Sequence, residues 1–120
     1  MSQPETKVEY PNGTKYWYLN GKRHREDGPA IEYASGSKWW YLNGKLHREG
    51  GPAVEWADGI KYWYLHDKLH REDGPAVELI NGTKFWYLNN VKVTWKEVFR
   101  NANGDLEKEC RILTYALTNG

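Results

Sequence analysis

The segment His24-Arg25-Glu26-Asp27-Gly28-Pro29-Ala30 gathers an imidazole, a guanidinium and two carboxylates, and it recurs at 47–53 and 70–76, with Gly50 in place of the aspartate in the second copy. Three chemistries use these residue types: metal ligation by the histidines, acid–base catalysis by His with a neighbouring acid, and phosphate binding by His and Arg. Spacing weakens the first. With two strands per copy, equivalent residues lie about 9.6 Å apart, whereas nitrogens around one zinc ion lie within about 3.5 Å of each other. His24, His47 and His70 do not share an ion on that geometry, and neither metal nor cofactor is expected. Copying weakens the second, because an active site is one asymmetric constellation built once. An enzyme is the weakest reading, and no catalytic residue is assigned.

The third chemistry stays open. His24, Arg25, His47, Arg48, His70 and Arg71 form one candidate site, facing the phosphates of a small nucleotide. A structural role competes with it. There the arginines pair with acids of an adjacent repeat, the histidines cap loop carbonyls, and Gly28, Gly51 and Gly74 let the chain swing into the next strand. No dinucleotide fingerprint, phosphate loop, nucleophile elbow or His-Glu-x-x-His motif is present.

The elements that carry these segments follow from a repeat. Blocks of 23 residues starting at Gly13, Gly36, Gly59 and Gly82 align without a gap, and residues 7–12 match a block's tail. The repeat array therefore covers 5–93. Each block holds an aromatic strand, Lys-aromatic-Trp-Tyr-Leu, and a second strand that opens on proline, where a missing N–H is tolerated. Asn20-Gly21 and Asn43-Gly44 are hairpin turns, with His66-Asp67 and Asn89-Asn90 as weaker versions. Asn12-Gly13, Ser35-Gly36, Asp58-Gly59 and Asn81-Gly82 turn the chain into the next block. The expected fold is mainly β: an elongated antiparallel sheet of stacked hairpins.

Pairing across Ser35-Gly36 as a two-residue turn sets Tyr33 opposite Lys38, Glu32 opposite Trp39 and Ile31 opposite Trp40. On that register Val8/Trp17/Leu19, Ile31/Trp40/Leu42, Val54/Trp63/Leu65 and Val77/Trp86/Leu88 make the core face. The other face reads Glu9/Tyr16/Tyr18, Glu32/Trp39/Tyr41, Glu55/Tyr62/Tyr64 and Glu78/Phe85/Tyr87, a stripe of acids beside aromatics. Either the rings stabilise cross-strand pairs, by about 0.2–1 kcal/mol each, or they form a binding surface. For the second use the candidate residues are Tyr18, Glu32, Trp39, Tyr41, Glu55, Tyr62, Tyr64 and Tyr87.

Residues 94–120 leave the repeat and read as a helical cap. Thr94 with Glu97 three residues on is a capping box, and Trp95, Val98 and Phe99 give the first helix its apolar stripe. Asn103-Gly104 ends it. Asp105 caps a second helix with an expected stripe of Leu106, Cys110, Leu113 and Leu117, which places Cys110 among buried side chains. Repeat arrays need such end caps.

Composition bounds the partners. The 17 basic and 16 acidic residues nearly cancel, which argues against a long nucleic acid as partner. The one cysteine excludes an internal disulfide, and the 15% aromatic content excludes low-complexity disorder. No run approaches ~20 apolar residues, and the start lacks the apolar core of a signal peptide. The expectation is a cytoplasmic protein with no membrane partner.

The run aromatic-Trp-Tyr-x-Asn-Gly-Lys-x-His, with Asp-Gly opening the next block, resembles MORN-type repeats, which also have 23 residues and form consecutive hairpins. It is still more similar to a variant carrying Leu-Asn-Gly-Lys-x-His-Arg-Glu-Asp-Gly-Pro-Ala, seen in uncharacterised proteins of bacteriophages and large DNA viruses. Asn20-Gly21-Lys22, His24 to Ala30 and their copies carry the likeness, over about 5–93. The glycine that MORN repeats place between Tyr and Trp is missing, so their lipid and scaffold roles transfer poorly. The resemblance implies a non-catalytic binding module, and a viral protein acting on a host protein in the host cytoplasm. The alternative is a small-molecule module that sequesters a nucleotide signal of host defence. A homodimer through the sheet edge at 6–10 or through the helical cap is also open.

Overall fold

The computed structural model describes residues 5–119. Short antiparallel strands make an open sheet from Thr6–Glu9 at one edge to Val91–Val93 at the other. Lys22–Arg23 pairs with Lys15–Leu19 off that path, and the hairpins Tyr41–Leu42/Lys45–Leu46 and Tyr64–Leu65/Lys68–Leu69 form two separate two-stranded sheets. Two helices follow, α1 (Trp95–Ala102) and α2 (Leu106–Asn119). The molecule measures 44 × 35 × 22 Å. The expected fold class is the observed one.

The tight turns behave as their sequences demand. Asn20 and Gly21 both hold positive φ, 52° and 75°, which sets Leu19 opposite Lys22. That is the primed turn whose twist matches the strands it joins. Asn43-Gly44, His66-Asp67 and Asn89-Asn90 also have positive φ at both residues. His66 at φ 48° takes a left-handed conformation that non-glycine residues adopt uncommonly, histidine more readily than most.

The turns between blocks differ from expectation. The Tyr33 N–H donates to the Ser37 carbonyl and the Gly36 N–H to the Tyr33 carbonyl, each at 2.9 Å. Ala34, Ser35 and Gly36 therefore form a three-residue loop, a type I turn closed by a glycine at φ 100°. The same bonds recur at Tyr10–Thr14, Trp56–Ile60 and Leu79–Thr83. Carboxyl or amide oxygens of Asn12, Asp58 and Asn81 accept the N–H two residues on and hold the bend.

One extra loop residue shifts the register by one. Ile31 faces Trp39 and Glu32 faces Lys38, in place of the expected Ile31/Trp40, Glu32/Trp39 and Tyr33/Lys38. Such a slip exchanges every side chain between faces. One face carries Val8, Tyr16, Tyr18, Ile31, Trp39, Val54, Tyr62, Val77 and Phe85. The other carries Glu9, Trp17, Glu32, Lys38, Glu55, Lys61 and Glu78. Tyrosine and glutamate do not share a face.

The helices cap the last repeat. Thr94 is extended (φ −92°, ψ 162°) and its hydroxyl accepts the Glu97 N–H; Asn103 closes α1 in the left-handed region. Asp105 Oδ1 accepts the Lys108 N–H at 3.2 Å and starts α2. Trp86, Val98, Ala102 and Ile112 form the core under this cap, with Phe99 and Tyr115 against it. The stripe expected on α2 is corrected: Leu106 and Leu117 are 74% and 83% exposed, and Cys110 is exposed. Lys108, Arg111, Ile112, Tyr115 and Ala116 share the docked face instead. Burial of Ile112 and Ala116 fixes that face, and along it Lys108 bonds Glu72, Arg111 bonds Asp73 and Arg71 bonds Tyr115.

Candidate functional site

The repeated His-Arg motif is built into the array. The guanidinium carbons of Arg25, Arg48 and Arg71 lie 3.9, 3.9 and 3.7 Å from the ring centroids of Trp17, Trp40 and Trp63. Each Nη1 donates to the proline carbonyl four residues on, at 3.1–3.2 Å. The same arginines pair with Glu32, Glu55 and Glu78 at 2.8, 3.5 and 3.6 Å. Those acids belong to the arginine's own block, which corrects the expected pairing between repeats.

Gly28, Gly51 and Gly74 have no positive φ, so the chain there needs no glycine for its direction. A Cβ would come within 2.8, 2.7 and 2.6 Å of the guanidinium carbons of Arg25, Arg48 and Arg71. Each glycine leaves room for the stacked arginine.

The histidines do not cap carbonyls. Nδ1 of His24, His47 and His70 accepts the backbone N–H of Asn43, His66 and Asn89, at 2.9, 3.0 and 3.0 Å. Each histidine thereby ties its repeat to the tight turn of the next one. With Nδ1 accepting, the neutral ring carries its proton on Nε2. His70 Nε2 lies 3.0 Å from Glu72 Oε2. Burial, with His66 beside it, lowers the pKa of His47.

One cluster has metal-ligand character. Ligand atoms of Glu5, His24 and Glu26 lie within 4.8 Å of one another, and His24 Nε2 is buried without a hydrogen bond. A metal on Nε2 needs that nitrogen deprotonated and the proton on Nδ1, which already faces the Asn43 N–H. The 3.6 Å approach of Glu26 to His24 Nε2 repeats the His70–Glu72 contact in a looser form.

The opposite face is lined by rings. Tyr18, Tyr16, Tyr33, Trp39 and Trp56 form a chain of ring contacts with centroids 5.5–6.4 Å apart, and Tyr10 and Tyr41 join it at Tyr16 and Trp39. Tyr62 and Tyr64 form a separate ring pair on the same face. Burial raises the pKa of Tyr41 and Tyr64. Tyr87 lies beyond, paired with Lys92. Of the expected binding residues, Tyr18, Trp39, Tyr41, Tyr62, Tyr64 and Tyr87 stay together here. Glu32 and Glu55 lie on the other face with Arg25 and Arg48. In their place comes Arg23, whose guanidinium sits 5.5 and 6.0 Å from the Tyr16 and Tyr41 rings. A groove of ≈ 570 Å³ opens between Tyr10, Pro11, Tyr16 and Tyr33.

Tyr10, Tyr33 and Trp56 are members that the two-residue reading of the turns missed. Each stands one residue before a three-residue loop, and Pro11 was the usable signal, because proline favours the first central position of a type I turn. A scan against protein-family models and a search of the curated proteins gave no match. Among the described residues, no helix is long and apolar enough to cross a membrane.

Proposed function

We propose that this protein is a non-catalytic interaction module that binds a partner protein through the ring-lined face of its sheet. The supporting observation is the unbroken chain of ring contacts from Tyr18 to Trp56, which ends on an exposed Trp56. Tyrosine and tryptophan bring large contact area at small entropic cost, and arginine joins them in the residues that dominate interfaces. Arg23 between Tyr16 and Tyr41 sets the charge preference. The partner surface presents apolar side chains to the rings and an acid to Arg23.

The motif that invited a catalytic reading is engaged in holding the repeats, which supports a binding role over an enzymatic one. The resemblance to phage and viral repeat proteins makes the partner a host protein in the host cytoplasm. Capture from extract of the native host, followed by mass spectrometry, identifies it. A thermal-shift screen with nucleotides runs in parallel. Ligand at 100 times Kd adds about 2.7 kcal/mol of stability, so a shift with any nucleotide favours the sequestering alternative.

A further inference from the structure

The three stacked arginines are not equivalent. Asp27 Oδ1 lies 3.0 Å from Arg25 Nε, and Asp73 Oδ1 lies 2.9 Å from Arg71 Nε. The corresponding residue in the second repeat is Gly50. Arg48 keeps its stack on Trp40, its bond to the Pro52 carbonyl and its 3.5 Å pair with Glu55. Among the described residues no carboxylate stands at its Nε. Gly50 has φ 80°, a left-handed conformation that Asp27 and Asp73 do not share, and it has no side chain to offer the Arg48 edge.

That space belongs to a groove. Arg48, Gly50, Trp63, His70 and Lys108 line a cavity of ≈ 470 Å³ between the second and third repeats. The equivalent groove one repeat earlier, ≈ 560 Å³, is lined by Arg25, Asp27, Trp40 and His47. In that earlier groove the aspartate carboxylate already sits on the arginine edge. In the later one the edge is bare and Lys108 enters from α2, its Nζ 2.8 Å from Glu72.

We propose that the Nε edge of Arg48 is a binding subsite for a carboxylate supplied by a ligand, which takes the place of the missing aspartate. The class follows from the sister repeats, where a carboxylate oxygen seats at 2.9–3.0 Å on the same atom. Guanidinium and carboxylate match in geometry and charge. A dianionic phosphate is disfavoured, because Glu49, Glu72 and Asp73 line the same groove. The subsite lies on the face opposite the rings and is independent of the proposed partner surface.

Nitrogen-detected NMR of the arginine Nε–H groups tests it in one sample, with Arg25 and Arg71 as internal controls. Acetate, a single carboxylate, and inorganic phosphate are titrated separately at constant ionic strength. The expected result is a saturable shift of the Arg48 signal with acetate, in the millimolar range, with Arg25 and Arg71 unmoved. Arg48→Lys, which keeps the charge and lacks Nε, should weaken acetate binding, read on neighbouring amides, while the Arg25 and Arg71 signals report an intact fold. An Arg48 signal that stays still, moves alike with the other two, or responds more to phosphate than to acetate overturns the proposal, as does undiminished acetate binding in Arg48→Lys.

Discussion

The Arg71 guanidinium carbon lies 3.7 Å from the Trp63 ring centroid, and a Cβ on Gly74 would stand 2.6 Å from that same carbon. Arg71 is also buried, with its side chain only 7% exposed, and bonds Asp73, the Pro75 carbonyl and Tyr115. An arginine so held cannot move aside cheaply. Gly74→Ala should therefore destabilise the fold by about 1–3 kcal/mol. Gly28→Ala and Gly51→Ala should cost less, because Arg25 and Arg48 are more exposed. Urea denaturation of the three variants checks the order, and equal costs would refute it.

The two equivalent aspartates should also differ. Asp27 is 85% exposed and pairs with Arg25 alone, whereas Asp73 is 21% exposed and bonds both Arg71 and Arg111. Burial works against the charge of Asp73, yet the two arginines together lower its pKa. Asp73→Ala should cost about 1–3 kcal/mol and loosen α2, seen as faster amide exchange at Ile112. Asp27→Ala should stay within about 0.5 kcal/mol. Similar losses for both would show that Asp73 does not fasten the cap.

Stability should fall in two steps on acidification. Burial and His66 lower the pKa of His47, so the unfolded chain binds that proton more tightly than the fold does. The contribution is complete above the ordinary value of about 6.5 and is lost as pH falls through the lowered folded value. Lysine and histidine bonds lower the pKa of Glu72, and arginines lower that of Asp73. Their contributions hold above the ordinary carboxylate values of about 4 and are lost as pH drops through the lowered ones. Urea midpoints across pH measure both steps. His47→Gln should flatten the upper one only, and an unchanged upper step would exclude His47 as its source.

Tight turns and both helix caps were legible because they rest on local chemistry: Asn-Gly pairs, Thr94 and Asp105 at caps. The second strands, expected to open on proline, are two residues long and begin two residues after it. Faces were harder. Reading Ser35-Gly36 as the whole turn, without Ala34, moved Glu32 onto the rings' face and hid Tyr33 and Trp56 as ring-face members. The reason for Gly28, Gly51 and Gly74 lay in a contact with an arginine three residues earlier, which chain-direction arguments do not reach. On α2 the competing apolar set Ile112, Tyr115 and Ala116 docks on the last repeat, a tertiary choice that the Leu106–Leu117 periodicity alone does not reveal.

The central claim is that the ring face, and not the motif-bearing face, meets the partner. Its most direct test is the affinity of the captured partner for three purified proteins: the native chain, Tyr41→Ala/Tyr64→Ala, and Lys38→Ala on the opposite face. Removing two interface tyrosines should cost at least about 2 kcal/mol, some thirtyfold in Kd, while Lys38→Ala binds like the native chain. Unchanged affinity in a folded double variant, or a larger loss at Lys38, would contradict the assignment.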